Sequence, residues 1–419
     1  MKRTLQKAGI LFLIFIAALV IYFISARNAM EKENTVYTSM EEPSLPVVYM
    51  KLNGKEINCL HGYMQDMGNQ AARDSISVLP ENRELGIKIT EYGNTITGIS
   101  YEVRNLSLDR LIERTDVTEW DSSEGSTTAV LPIQNLLIRN EPYYLTLNVS
   151  TSERQIRYYT RIVWPDNNYA YDMVSLAEEF SRKSLDYNQA RELVSYLETN
   201  DTEDNSNLGH VTIRASFNHL TWDGLPVEMV GEPQVTLQEF DGIMGQVKVR
   251  YTVAITESDN TRTLVDTEDN FTMKWNEKRI YMMNYERNAN EMFTGKREAF
   301  SGKRIILGIT NDNMVKTVKS PKSRYLAFKT GGDLWCYDQT DNELVRIFTF
   351  DSSKDDGIRS RYDRHDVKIL SVQEDGTVDF LVYGYMNRGK YEGHMGVIYY
   401  SYDAEKDTVN EKFYLAASE

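Results

Sequence analysis

Two stretches decide the reading of this chain: RYLAFKTGGDLWCYDQTDNELVRIFTF at 324–350 and TVDFLVYGYMNRGKYEGHMGVIYYSYDAEKDTVNEKFYL at 377–415. Each runs as an apolar strand, a glycine turn, a strand closing on Tyr-Asp, a polar turn and one more strand. Tyr337-Asp338 aligns with Tyr402-Asp403. Strands in fours, repeated, are the sequence sign of β-propeller blades. Two units do not close a ring, which takes roughly four to eight blades. Open blade edges leave backbone groups unpaired, which folded proteins avoid. Residues 296–419 are therefore expected to be propeller-like β repeats, which either continue in a longer protein of which this chain is the N-terminal portion or form a smaller β domain.

The segments upstream are β-rich as well. In 46–165, Ile99, Tyr101 and Val103 alternate with Ser100, Glu102 and Arg104. Tyr143, Leu145, Leu147 and Val149 alternate too, as do Ile156, Tyr158, Thr160, Ile162 and Trp164. Period two marks half-buried strands. Seven or eight short strands, with turns at Asn53-Gly54 and Tyr92-Gly93-Asn94, give the expectation of an immunoglobulin- or fibronectin-like β-sandwich. Residues 166–295 change period and then return to it. Leu176, Ala177 and Phe180 share a helical face, and Asp186 with Gln189 resembles a capping box before Ala190, Leu193, Val194 and Leu197. Val211, Ile213, Ala215 and Phe217 then alternate, and Val247 to Ile255 is the cleanest strand in the chain. Helices plus an antiparallel meander form an α+β unit. The fold class is mainly β, in several units.

The N-terminus carries the clearest address. Lys2, Arg3 and Lys7 precede AGILFLIFIAALVIYFI (Ala8–Ile24), which is uncharged. Seventeen residues at ~1.5 Å rise reach ~25 Å, the short end of a bilayer core. The run is longer than the apolar stretch of a cleaved signal, and no small-residue cut site follows. Residues 1–26 are expected to be a cytoplasmic tip and single uncleaved transmembrane anchor, N-terminus inside by the positive-inside rule. Residues 27–45 read as a stalk, and the bulk of the chain as extracytoplasmic at the cell membrane.

Composition narrows function by exclusion. Of 419 residues, 62 are acidic and 47 basic, so the net charge is -15. That balance opposes nucleic-acid binding, which needs basic side chains to displace counterions. Aromatics at 11% exclude a disordered chain, and 2 cysteines exclude a disulfide-knotted scaffold. Cys59 and Cys336 fall in different units and read as isolated thiols. No Gly-x-Ser-x-Gly or HExxH occurs. His61, His210, His219, His365 and His394 are scattered, and Asp351–Gly357 echoes a calcium loop without its terminal bidentate acid. No catalytic residue, metal or cofactor is expected.

Two local oddities remain. Glycines 384, 389, 393 and 396 surround a segment whose Tyr385, Asn387, Arg388, Tyr391 and His394 are candidate ligand contacts, because arginine and tyrosine are common binding anchors. The competing reading is a bulged hairpin that needs positive backbone angles. From Lys296 to Arg324, eight basic residues meet only two acids, Glu298 and Asp312. Lys303, Arg304, Lys316, Lys319, Lys322 and Arg324 are candidate contacts to a polyanion such as anionic lipid or a wall polymer.

The run Gly384-Tyr385-Met386-Asn387-Arg388-Gly389, then Glu392-Gly393 and Gly396, resembles uncharacterised membrane-anchored extracytoplasmic proteins of anaerobic Gram-positive bacteria. The stretch from Tyr101-Glu102-Val103-Arg104 to Leu111-Ile112-Glu113 is similar to theirs as well. The resemblance implies a family without an assigned activity and transfers no catalytic residue. The expected function is a non-enzymatic, membrane-anchored binding or scaffold protein of the cell envelope, with a protein or envelope-polymer partner. Alternatives are an extracytoplasmic regulator of a membrane sensor kinase, or a surface glycan-binding protein or hydrolase.

Overall fold

A computed structural model describes residues 40–417 apart from 69–70, 197–203, 257–260, 302, 313 and 353, together with the single residue Ile16. The expected anchor and most of the stalk lie outside the described residues. Among the described residues, no helix is long and apolar enough to cross a membrane. The chain is mainly β.

Ten strands come first: β1 (Val47–Leu52), β2 (Lys55–Leu60), β3 (Ile76–Val78), β4 (Glu84–Thr90), β5 (Ile96–Arg104), β6 (Leu111–Val117), β7 (Trp120–Ser123), β8 (Ser126–Pro132), β9 (Pro142–Thr151) and β10 (Gln155–Val163). They form two five-stranded sheets, ordered β2-β1-β4-β8-β7 and β3-β10-β9-β5-β6. The alternating residues of the sequence supply their common core: Ile99, Tyr101, Val103, Leu145, Leu147, Val149, Ile156, Tyr158 and Ile162 are all buried, with Val48, Ile87 and Leu131 opposite. All pairings are antiparallel except β3 with β10.

Helix α1 (Ala170–Lys183) follows. It buries Ala170, Met173, Val174, Ala177, Phe180 and Ser181, spacings of three and four that make one face. Asp172 lies in its first turn and Arg182 and Lys183 in its last, each complementing the helix dipole. The Asp186 carboxylate accepts from the Asn188 and Gln189 amides, but the turn it opens, Gln189–Tyr196, is a 3-10 helix. The alternation from Val211 to Phe217 is strand only over β11 (His210–Thr212). Ser216 then caps α2 (Phe217–Leu220) by accepting from the His219 amide, so a local side-chain bond overrides the period-two pattern. The long strands β12 (Val227–Phe240), β13 (Met244–Thr256), β14 (Arg262–Asn276) and β15 (Arg279–Glu291) make a meander, with β11 beyond β15. Helix α1 lies on its apolar face.

The last segment holds a small hairpin, β16 (Phe300–Ser301) with β17 (Arg304–Ile305), then two four-stranded meanders. The first comprises β18 (Thr317–Lys319), β19 (Tyr325–Thr330), β20 (Asp333–Asp338) and β21 (Glu343–Phe348). The second comprises β22 (His365–Val372), β23 (Val378–Tyr385), β24 (Met395–Asp403) and β25 (Thr408–Ala416). Ala327, Leu334, Cys336 and Phe348 of one pack on Phe380, Val382, Ile398 and Tyr400 of the other. The opposite face of the first meander, with Phe328, Trp335 and Tyr337, is covered by Phe293, Phe300, Ile305 and Leu307.

The units are fused. Leu52, Ile57, Ile76 and Val78 of the ten-stranded unit belong to the same core as helix α1 and strands β12 to β15. The buried Asn58 side chain donates to Ile76 O and accepts from the Leu237 amide. Pro43 and Leu45, expected at the end of a stalk, are buried in the body.

Candidate functional site

The most concentrated polar constellation among the described residues lies where the second meander meets the ten-stranded unit. It is built by the β23–β24 connection, residues 386–394. Gly389 and Gly393 sit in the left-handed region at φ 81° and 77°. A Cβ on Gly393 would lie 2.7 Å from Leu45 Cδ1 and 2.9 Å from Met64 Cγ, so only glycine lets this loop approach. The Glu392 carboxylate then accepts from the Ser44 amide at 2.8 Å, the Ser44 hydroxyl at 2.6 Å and the Leu45 amide at 3.0 Å. It ties residues 348 positions apart.

The candidate ligand contacts are placed as follows. Tyr385 is buried and its hydroxyl donates to Gly62 O at 2.7 Å. Asn387 is buried and its amide donates to Ser360 O and Tyr362 O. Arg388 is 7% exposed, donates to Asp351 O at 3.0 Å and stands 3.9 Å from Glu42. Tyr391 stacks on Tyr414 at 3.8 Å and its hydroxyl donates to Glu411. His394 Nδ1 lies 3.2 Å from Tyr391 O and Glu392 O. The hairpin is thus committed to bonds within the chain along most of its length.

A small cavity of about 10 Å³, room for one water, sits beneath it. Its lining includes His61, Gly62, Arg359, Tyr385, Asn387 and Glu392. His61 stacks on Tyr362 with ring centroids 3.7 Å apart. Burial is the main cause that drops its pKa to about 3, with the Arg250 cation adding to it, so the imidazole is neutral at physiological pH. Tyr385 meets the imidazole edge-on, and Tyr63 and Tyr362 each meet Tyr385 edge-on in turn. Asp74 and Arg364 form an ion pair at the rim, and Arg250 donates to Arg361 O at 3.1 Å, bringing in the long meander.

A second constellation is wholly enclosed. Asp269 and Arg287 are both 0% exposed. One Asp269 oxygen accepts from Ser181 Oγ at 2.7 Å and Tyr251 OH at 2.9 Å, the other from Tyr285 OH and Arg287 Nε, each at 3.0 Å. The guanidinium also donates to Leu220 O and Ser184 Oγ and lies over Trp222, 4.8 Å from the ring centre. Every lone-pair direction of the carboxylate is filled, so the group holds helix α1 to the sheet. Nothing in the sequence marks it, because its members come from five separated segments of the chain.

The basic stretch is spread over the cover of the first meander. Lys303, Arg304, Lys316, Lys319 and Lys322 are exposed. Arg324 pairs with Asp338 at 2.7 Å and Asp341 at 2.8 Å. In the calcium-like run, Asp351 pairs with Arg361 and Asp355 with Arg359, leaving arginines where a cation would sit. Among the described residues, no group of three or more His, Cys, Asp and Glu could hold a metal ion. Burial raises the Cys59 and Cys336 thiols to about 12, far from the thiolate that reacts.

No family model matches the chain, and no curated protein matches it. Among solved structures, one titled as a putative TolB from Agrobacterium tumefaciens aligns over 77% of this chain and 90% of its own, at 9% identity and a TM-score of 0.17. A score that low carries no argument about fold or function.

Proposed function

We propose that this is a non-enzymatic, membrane-anchored extracytoplasmic protein of the cell envelope, a rigid β scaffold that presents surfaces to a protein or polymer partner. The observation that carries this reading is the junction. Tyr385 and Glu392 tie the second meander to the ten-stranded unit and the incoming segment 44–45, and Asn387 holds the 360–362 loop that Arg250 reaches from the long meander. The uncharged run Ala8–Ile24 and its basic flank supply the anchor. In this reading the ten-stranded unit is an immunoglobulin-type sandwich. Strands β1, β4, β8 and β7 take the places of A, B, E and D, and β5, β9 and β10 those of C, F and G. The Tyr143 hydroxyl at the start of β9 accepts from the Ile138 amide, like a tyrosine corner. The two meanders are read as propeller-like blades.

The basic stretch is the surface assigned to an anionic partner. Its turn at Lys322 lies beside Glu374, at the end of the meanders where Gly376 approaches Tyr325. Met40 enters at the other end, against Gly389. Lys319 and Lys322 thus lie at the end of the meanders opposite Met40, and in this reading they meet an anionic envelope polymer or protein. The test has two arms on the full chain. A cysteine at exposed Met314 should react with an impermeant maleimide on intact cells. Reversing Lys303, Lys316, Lys319 and Lys322 to Glu should abolish retention on a polyphosphate matrix. Labelling only after lysis, or unchanged retention, would contradict the proposal.

A further inference from the structure

Most of the polar groups on the glycine hairpin are bonded within the chain, but two adjacent residues each keep one atom back. Asn387 is 2% exposed, and its Nδ2 donates to both Ser360 O and Tyr362 O. Two carbonyls at one atom identify it as the nitrogen, so Oδ1 is the acceptor and points the other way. Among the described residues no donor reaches Oδ1, and Arg388 Nε is likewise buried without a partner. The loop that Asn387 holds repeats the pattern, because Ser360 Oγ is buried and unpartnered too. A buried acceptor left bare has lost the hydrogen bond that it had in water, and folded proteins leave few in that state. Three in two touching segments call for a partner that the chain itself does not supply.

Asn387 also lines the cavity of about 10 Å³, together with His61, Arg359 and Glu392. That volume takes one water and nothing larger. The charges in its wall oppose an ion. Glu392 is already answered by the Ser44 amide and hydroxyl and the Leu45 amide, and Arg359 by Asp355 and Pro43 O. A cation would meet the guanidinium, an anion would meet the carboxylate, and neither would find a free opposite charge.

We propose that this cavity is a binding site for a single structural water, which donates to Asn387 Oδ1 and completes its bonds at His61 and Glu392. A buried water makes about three hydrogen bonds, and these side chains supply that number. The neutral imidazole brings one N–H and one lone pair, and the carboxylate brings lone pairs only. The site sits where four segments meet: residues 45–47 entering the body, His61 and Gly62 after β2, Arg359 of the connecting loop, and the hairpin. One molecule thus joins groups that do not bond one another directly. Asparagine suits position 387 for this reason, since its nitrogen ties the loop while its oxygen takes the water. The proposal depends on the joint alone and stands apart from the anchor and the envelope partner.

A crystal structure of the full chain, at a resolution that shows ordered waters, tests this. The crystals are grown with rubidium and bromide in place of sodium and chloride. Expected is one density peak about 2.8 Å from Asn387 Oδ1, without anomalous signal. Anomalous signal at the peak would make this an ion site and overturn the proposal. A cavity without a peak, or Oδ1 bonded to a donor of the chain, overturns it as well. Asn387→Leu should lose the peak, and a peak that persists in that variant would remove Asn387 from the site. If Asn387→Leu does not fold, the unaltered chain still decides between these outcomes.

Discussion

His61 and Arg287 show how burial turns an ordinary residue into a constraint. The imidazole of His61 is neutral because water is excluded, with a pKa near 3 against about 6.5 when unfolded. A depressed histidine binds its proton in the unfolded chain first. Its stability is whole above about pH 6.5 and is lost as pH falls toward 3. His365, also lowered by burial, adds in the same direction. Melting temperature should therefore drop between pH 7.5 and 5, and His61→Phe, which keeps the stack on Tyr362, should flatten part of that slope. An identical slope in the variant would show that His61 does not titrate with unfolding. Arg287→Met leaves the Asp269 carboxylate buried without its cation, which costs about 3–5 kcal/mol. Denaturant titration reads this directly. Adding Asp269→Asn to Arg287→Met should recover part of the loss. An exposed substitution such as Met314→Ala, at 82% exposure, should change stability by less than about 0.5 kcal/mol.

At the scale of elements, what could be read from the sequence was whatever repeats over a short distance. Period two found Ile99–Val103, Tyr143–Val149 and Val247–Ile255, because a strand writes its burial into every second residue. The paired Tyr-Asp motifs found both four-stranded meanders, where Tyr337 and Tyr402 end equivalent strands. The same rule failed at Val211–Phe217, where the cap at Ser216 outweighed the alternation. The glycine-rich hairpin was legible as an oddity but not as a clamp, since Glu392 finds its partners 348 residues upstream. Asp269 and Arg287 were illegible for the same reason. The hairpin makes its own prediction. Glu392→Gln keeps the shape but removes charge from three hydrogen bonds and should cost about 1–3 kcal/mol. It should also raise amide exchange at Ser44 and Leu45 without altering α1. Unchanged protection at Ser44 would mean that the carboxylate does not hold the incoming segment.

For the whole molecule, the claim is that its β units form one body. The core under helix α1 takes Leu52 and Ile57 from the first unit. The tyrosine cluster joins Tyr63 and Tyr159 to Tyr385. Arg250 reaches from the long meander to Arg361 O. The meanders draw stability from these neighbours as repeat modules do. A fragment of residues 305–419 should accordingly be partly open or self-associating on its own, read by size exclusion and hydrogen exchange. Calorimetry of the full chain tests the central claim most directly. The account predicts one cooperative transition for everything beyond residue 40, shifted as a whole by Tyr385→Phe or Glu392→Gln. Separate transitions, with residues 305–419 melting independently and blind to those substitutions, would contradict it.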